Sequence, residues 1–172
     1  MTTLLLFMVM VVGAVVQAVF PTVRWLGQAN APILLGLVIY YALTHSRGTM
    51  LLAAIFAGLL QDALGMIPLG YSSFCFCIVA VVVSRFKDMV FVHELVTHML
   101  FGAIAGGAVT LALYALLSTA GLLTLAPAWT ALKVIGSVLL GAILVPFECE
   151  LVADLDRMLH MLVEEEASVD DV

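Results

Sequence analysis

The segment His93-Glu94-Leu95-Val96-Thr97-His98 sets two imidazoles around a carboxylate, the residue types of a zinc protease helix. In that chemistry the histidines stand at i and i+4, so both nitrogens reach one metal ion from one helical face while the glutamate acts as general base. Here the spacing is i and i+5, which turns the imidazoles about 140° apart at about 100° per residue. They cannot share a metal without distortion, and no third ligand stands out. The pair is therefore read as interfacial histidines at the inner end of a helix. Cys75, Cys77 and Cys149 offer neither a disulfide framework nor a metal spacing, since Cys75 and Cys77 diverge by about 200°. They are read as apolar helix residues. No serine, histidine and carboxylate constellation or glycine-rich phosphate loop is present, and the six basic residues are scattered rather than gathered into a nucleic-acid patch. The expectation is a non-enzymatic protein with no catalytic residue, no cofactor, no metal and no nucleic-acid partner.

One carboxylate does stand apart. The segment from Gly58 through Asp62, Gly65, Pro68 and Gly70 puts an acid at the outer end of a helix, beside a turn rich in glycine and proline. An ionised Asp costs about 2.5 to 3.5 kcal/mol at mid-bilayer, and near a helix C-terminus it also meets the unfavourable end of the dipole. Two compensations are open. Asp62 can lie in interfacial water or accept hydrogen bonds from amides and hydroxyls of the following turn, around Ser72 and Ser73. Alternatively, Asp62 with Gly58, Gly65, Pro68 and Gly70 contacts a partner or ligand directly.

The elements that must position these residues follow from composition. Hydrophobic residues make up 65% of the chain and charged residues 10%, with a mean hydropathy of +1.23. Such values exclude a water-soluble fold. The expected fold class is an all-α integral membrane protein, a six-transmembrane-helix bundle over residues 1–147, with an acidic cytoplasmic segment over 148–172. The first helix covers residues 3–20 and is retained rather than cleaved, because no Lys or Arg precedes the apolar run. Pro21 ends it, and Arg24 and Trp25 lie in an interfacial loop. Asn30 reads as an N-cap, with Pro32 in the first turn of a second helix running to Thr44. The third helix covers 49–64 and the fourth 69–83, and all three of these are short for a full crossing. The fifth covers 95–117, and the sixth covers 128–145, stopping at Pro146.

With six crossings, Arg47, Arg85, Lys87 and Arg157 fall on one face and only Arg24 and Lys133 on the other, which places both termini in the cytoplasm. Trp25 and Trp129 then sit at the outer interface, and Tyr40 and Tyr41 at the inner one. Small residues at four-residue spacing, Ala53/Ala57, Ala54/Gly58 and Gly102/Gly106, let helix backbones approach within the bundle or, alternatively, in a homodimer. Past the sixth helix, Leu151, Val152, Leu155, Met158, Leu159 and Leu162 recur at helical spacing among Asp154, Asp156, Arg157 and residues 164–166. This is an amphipathic helix whose contact face is Leu151, Leu155, Met158, Leu159 and Leu162. Its acidity argues against an anionic lipid surface and leaves a protein partner, the bundle's own cytoplasmic ends, or simply solvated charge at the end of the sixth helix. Residues 168–172 read as a disordered end.

The stretch GLLQDALGMIPLGYSSF resembles the central signature of the rod shape-determining protein MreD family, in which a helix closes on a Gly-Leu-x-x-Asp pattern before a short turn with Pro-Leu-Gly. Length, six helices and cytoplasmic termini are similar too, while the acidic tail departs from that family's commoner short basic ending. The resemblance implies a non-enzymatic component of the bacterial cell-elongation machinery in the inner membrane, embedded in lipid. Its implied partners are MreC, the actin-like MreB, and the peptidoglycan synthase RodA with its elongation transpeptidase. That family's membrane fold resembles the substrate-binding components of energy-coupling-factor vitamin transporters, which supplies the rival expectation. Ala14-Val-Val-Gln-Ala18 offers the small-residue spacing such components use against their coupling subunit. Few polar groups converge in the outer half to hold a vitamin, the candidates being Asp62, Gln61, Asn30, Gln28 and Arg24.

Overall fold

The computed structural model describes residues 2–19, 31–65, 68–87, 95–121 and 127–170. Six helices follow in order: α1 (Thr2–Val19), α2 (Ile33–Thr44), α3 (Arg47–Gly65), α4 (Tyr71–Arg85), α5 (Leu95–Thr119) and α6 (Pro127–Asp170). No strand occurs among the described residues.

The sequence of α2, ILLGLVIYYALT, is apolar all round, and a helix without a polar face belongs in an interior. Every residue from Ile33 to Leu43 is buried, and α2 touches each of the other five helices. The neighbours follow one another around it as α1, α3, α4, α5 and α6; among the described residues α6 and α1 do not meet. Outward faces are apolar as well. Phe7, Val12, Leu52, Phe74, Val82, Ile104 and Ile143 are all exposed, the reverse of a soluble surface and the arrangement a hydrocarbon solvent requires.

Among the described residues three stretches are long and apolar enough to cross a membrane: Arg47–Gly65, Val96–Thr119 and Trp129–Met158. The chain is thus an all-helical membrane protein. The third helix is not short, as its sequence pattern implied. It starts at Arg47, two residues before Thr49, because Ser46 leads directly into the helix, its carbonyl accepting from the Met50 amide. The short members are α2, with 12 residues, and α4, with 15.

Glycines close the two tightest helix pairs. A methyl group at Gly102 would run into the carbonyl of Gly141, and one at Gly106 would lie 2.6 Å from the Ser137 carbonyl oxygen, so α5 and α6 cross with backbones in contact. Gly58 does the same between α3 and α4, where a methyl would meet the backbone of Ser73. With Ala53, Ala54 and Ala57 fully buried, the small-residue spacings serve packing within the chain.

The sixth helix does not stop at Pro146. It continues without interruption to Asp170, so the 147/148 boundary falls inside one helix and residues 168–170 are helical. Proline removes one amide, leaving the carbonyl of Ala142 without its usual donor, but a ring held among neighbouring helices is tolerated in membrane proteins. Pro146 is buried. At 44 residues, α6 is about 66 Å long, twice a hydrocarbon core of about 30 Å. The N-cap position of α2 is Pro32, which has no side-chain donor or acceptor for the role. Asn30, like Arg24, Trp25 and Gln28, lies outside the described residues.

Candidate functional site: the Asp62 turn

Antiparallel packing of α3 and α4 brings the last turn of one against the first turn of the other. Gly70, the N-cap residue of α4, has φ 106°, a left-handed conformation that glycine adopts without strain, but it has no side chain with which to cap. Asp62 supplies the missing acceptor. Its Oδ2 accepts from the Gly70 amide at 2.7 Å, and its Oδ1 accepts from the Ser72 amide at 3.0 Å. The side chain is fully buried. An acid at the unfavourable end of α3 thereby gains the favourable end of α4, where amide donors and the positive end of the dipole meet it. Of the compensations open to Asp62, the amides of the following turn are the one observed. The hydroxyls behave differently: Ser73 Oγ donates to the Ile55 carbonyl at 3.0 Å, and Ser72 Oγ, also buried, has no partner.

Gln17 extends this joint to the remaining helices. Its Nε2 donates to Gln61 Oε1, and its Oε1 accepts from the Leu34 amide at 3.0 Å in the first turn of α2. Two side chains next to each other on α3, Gln61 and Asp62, therefore tie α1, α2 and α4 together at one end of the bundle. Of the other residues singled out with Asp62, Gly58 is buried against Ser73, Gly70 is half-buried, and Gly65 and Pro68 are exposed beside Leu69.

The opposite end carries a second polar group. Tyr40 Oη donates to Asp156 Oδ2 at 3.3 Å, so α2 and the C-terminal part of α6 are linked. Lys87 Nζ donates to the His45 carbonyl at 3.0 Å. Thr44 Oγ1 donates to the Tyr40 carbonyl, which makes His45 Nδ1 the donor in the 2.8 Å contact between them. Burial holds the His45 imidazole below its ordinary range; Asp156 opposes this and Lys87 adds to it. Lys87, His45 and Asp156 are thus gathered at one end, while Asp62, Gln17 and Gln61 hold the other.

His98 is buried on α5, and His93 and Glu94 lie outside the described residues. Among the described residues no group of three His, Cys, Asp or Glu could hold a metal ion. Cys75 and Cys149 are buried thiols, and Cys77 is half-buried. On the tail, Leu151, Leu155 and Met158 expose 57%, 45% and 64% of their surface, while Val152 and, one turn earlier, Cys149 face the bundle. The side chains of Leu159 and Leu162 lie outside the described residues.

Sequence reasoning missed Glu148, a buried acid whose two oxygens have no partner. Carrying the helical period past Pro146 would have found it, because Val145, Glu148 and Val152 share a face. Gln17, a polar residue inside the first apolar run, was assigned no role either. No family model, curated protein or solved structure matches this chain.

Proposed function

We propose that this protein is a non-enzymatic scaffold of the bacterial cell-elongation machinery, of the MreD kind, crossing the inner membrane six times with both termini in the cytoplasm. The observation that carries the reading is the 58–70 segment, in which the Gly-Leu-x-x-Asp and Pro-Leu-Gly elements work as one device. Gly58 admits Ser73, Asp62 caps α4 at Gly70, and the exposed side of the turn presents Gly65, Pro68 and Leu69. Asp62 acts here as a positioning residue, since a fully buried carboxylate meets no partner itself. The turn it fixes is the surface offered to MreC or to the RodA synthase and its transpeptidase. The tail offers a second surface, the exposed stripe of Leu151, Leu155 and Met158, on the side where MreB would lie.

Orientation is supported by charge. Arg85 ends α4, Lys87 follows in the next turn and Arg47 starts α3, at the end where Asp156 meets Tyr40, and basic residues favour the cytoplasmic side. In this topology α2 crosses without meeting lipid, since longer neighbours enclose it. The transporter reading loses its docking stripe, because Ala14 is buried in the chain's own core while Ala18 is exposed.

Depletion in the native host tests the proposal. Rod-shaped cells are expected to round up with vitamin uptake intact; unchanged shape with lost uptake would reverse the assignment.

A further inference from the structure

We infer that Glu148 is a proton-binding site inside the membrane body, and that its neutral acid form is what lets α2 and α6 close on each other at Gly36. Glu148 exposes only 9% of its surface, and neither Oε1 nor Oε2 has a hydrogen-bond partner. Its carboxyl end lies directly against Gly36 of α2: a methyl group there would collide with Oε2 and would lie 3.5 Å from Val145 Cγ2. No donor reaches the carboxyl group, and its contact with α2 is tight.

Asp62 shows how this chain holds its other buried carboxylate. It points two backbone amides at it. Glu148 has no donor, and an unpaired carboxylate is among the costliest groups to hold in a hydrocarbon environment, whereas the neutral acid is not. A metal cation is a poor alternative occupant, because it needs several converging ligands and among the described residues no three acidic, thiol or imidazole groups cluster. A proton needs one oxygen and no additional room.

The titratable groups around the site do not alter this. On α2 stand Tyr40, engaged with Asp156, and Tyr41; on α5 stands His98, one turn from Gly102 on the buried face; on α6 stand Cys149 and Asp156. None is bonded to a Glu148 oxygen. Loss of the proton leaves a charge that must recruit water or a cation, at a contact so close that a methyl group on Gly36 would already collide with Oε2. Ionisation therefore separates α6 from α2 at this level and moves the helix that carries the acidic tail.

The test uses the full chain in lipid nanodiscs. Infrared spectra at neutral pH are expected to contain a protonated-carboxyl C=O band that disappears on alkalinisation and is absent from Glu148→Gln. Identical bands in both proteins at every pH would overturn the inference. A second measurement needs no variant. Dicyclohexylcarbodiimide adds the O–H of an acid across its C=N bond and so modifies only the protonated form. Peptide mass spectrometry should find Glu148 modified at acidic pH, falling about tenfold per pH unit once the acid titrates. Modification of Glu148 that is equally strong at acidic and alkaline pH would equally overturn it.

Discussion

Asp62 Oδ2 lies 2.7 Å from the Gly70 amide nitrogen, so the residue that closes α3 provides the cap that opens α4. The relationship is obligatory in one direction: Gly70 needs its left-handed backbone for the turn and has no side chain with which to cap the helix itself. Asp62→Ala leaves two amides without their acceptor and should lower stability by about 1 to 3 kcal/mol. Asp62→Asn keeps one acceptor oxygen and should cost less. Reversible unfolding in mixed detergent micelles gives both values; equal stability of Asp62→Ala and the parent would remove the capping role.

Glycines at helix crossings predict a graded series. Gly58→Ala and Gly102→Ala drive a methyl into backbone on the neighbouring helix and should separate α3 from α4 and α5 from α6 respectively. The same unfolding measurement should register a loss of about 1 to 3 kcal/mol for each. Gly48 is the internal control, since a methyl there meets nothing within 4 Å. Gly48→Ala should be neutral or stabilise α3 by up to about 1 kcal/mol.

Gln17 ties α1 to both α2 and α3, yet hydrogen bonds between membrane helices are individually modest. Gln17→Leu should therefore cost about 1 kcal/mol, less than Asp62→Ala. Protease sensitivity of α1 reports the same change locally, and should rise in Gln17→Leu while that of α5 does not.

Acidification should loosen the end of the bundle that holds His45. Burial lowers the folded-state pKa of this imidazole, so the unfolded chain binds its proton more readily. The stability linked to His45 is complete above the ordinary histidine value of about 6.5 and is lost as pH falls through and below it. Asp156 reduces the size of the effect. Thermal unfolding across that window should show a falling midpoint, and His45→Gln should flatten the slope; an unchanged slope would assign the acid sensitivity to other groups.

Much of this arrangement is legible in the sequence, and its gaps have physical causes. Apolar runs bounded by Gly, Pro and charged residues located α1, α4 and α5 to within two residues at nearly every end, because helix length in a membrane is a solvation requirement. The end of α6 was misread because proline terminates helices in water, where nothing re-satisfies the carbonyl it frees, whereas Pro146 is enclosed. The central place of α2 could not be seen, since a segment that is apolar all round has no face from which to infer neighbours. Asp62 stood out as a lone acid with two candidate roles. Which role it plays depended on Gly70 and Ser72 folding back across eight to ten residues, a tertiary relationship that spacing does not reveal.

The central claim is that this chain is a scaffold in the elongation machinery, and isolation of the intact membrane complex tests it most directly. Affinity purification of the tagged chain from native membranes, in a detergent that preserves assemblies, should co-isolate MreC and RodA in stoichiometric amounts. Asp62→Ala should reduce that yield while leaving membrane insertion unchanged. Recovery of an ATPase coupling subunit in place of MreC and RodA would contradict the account.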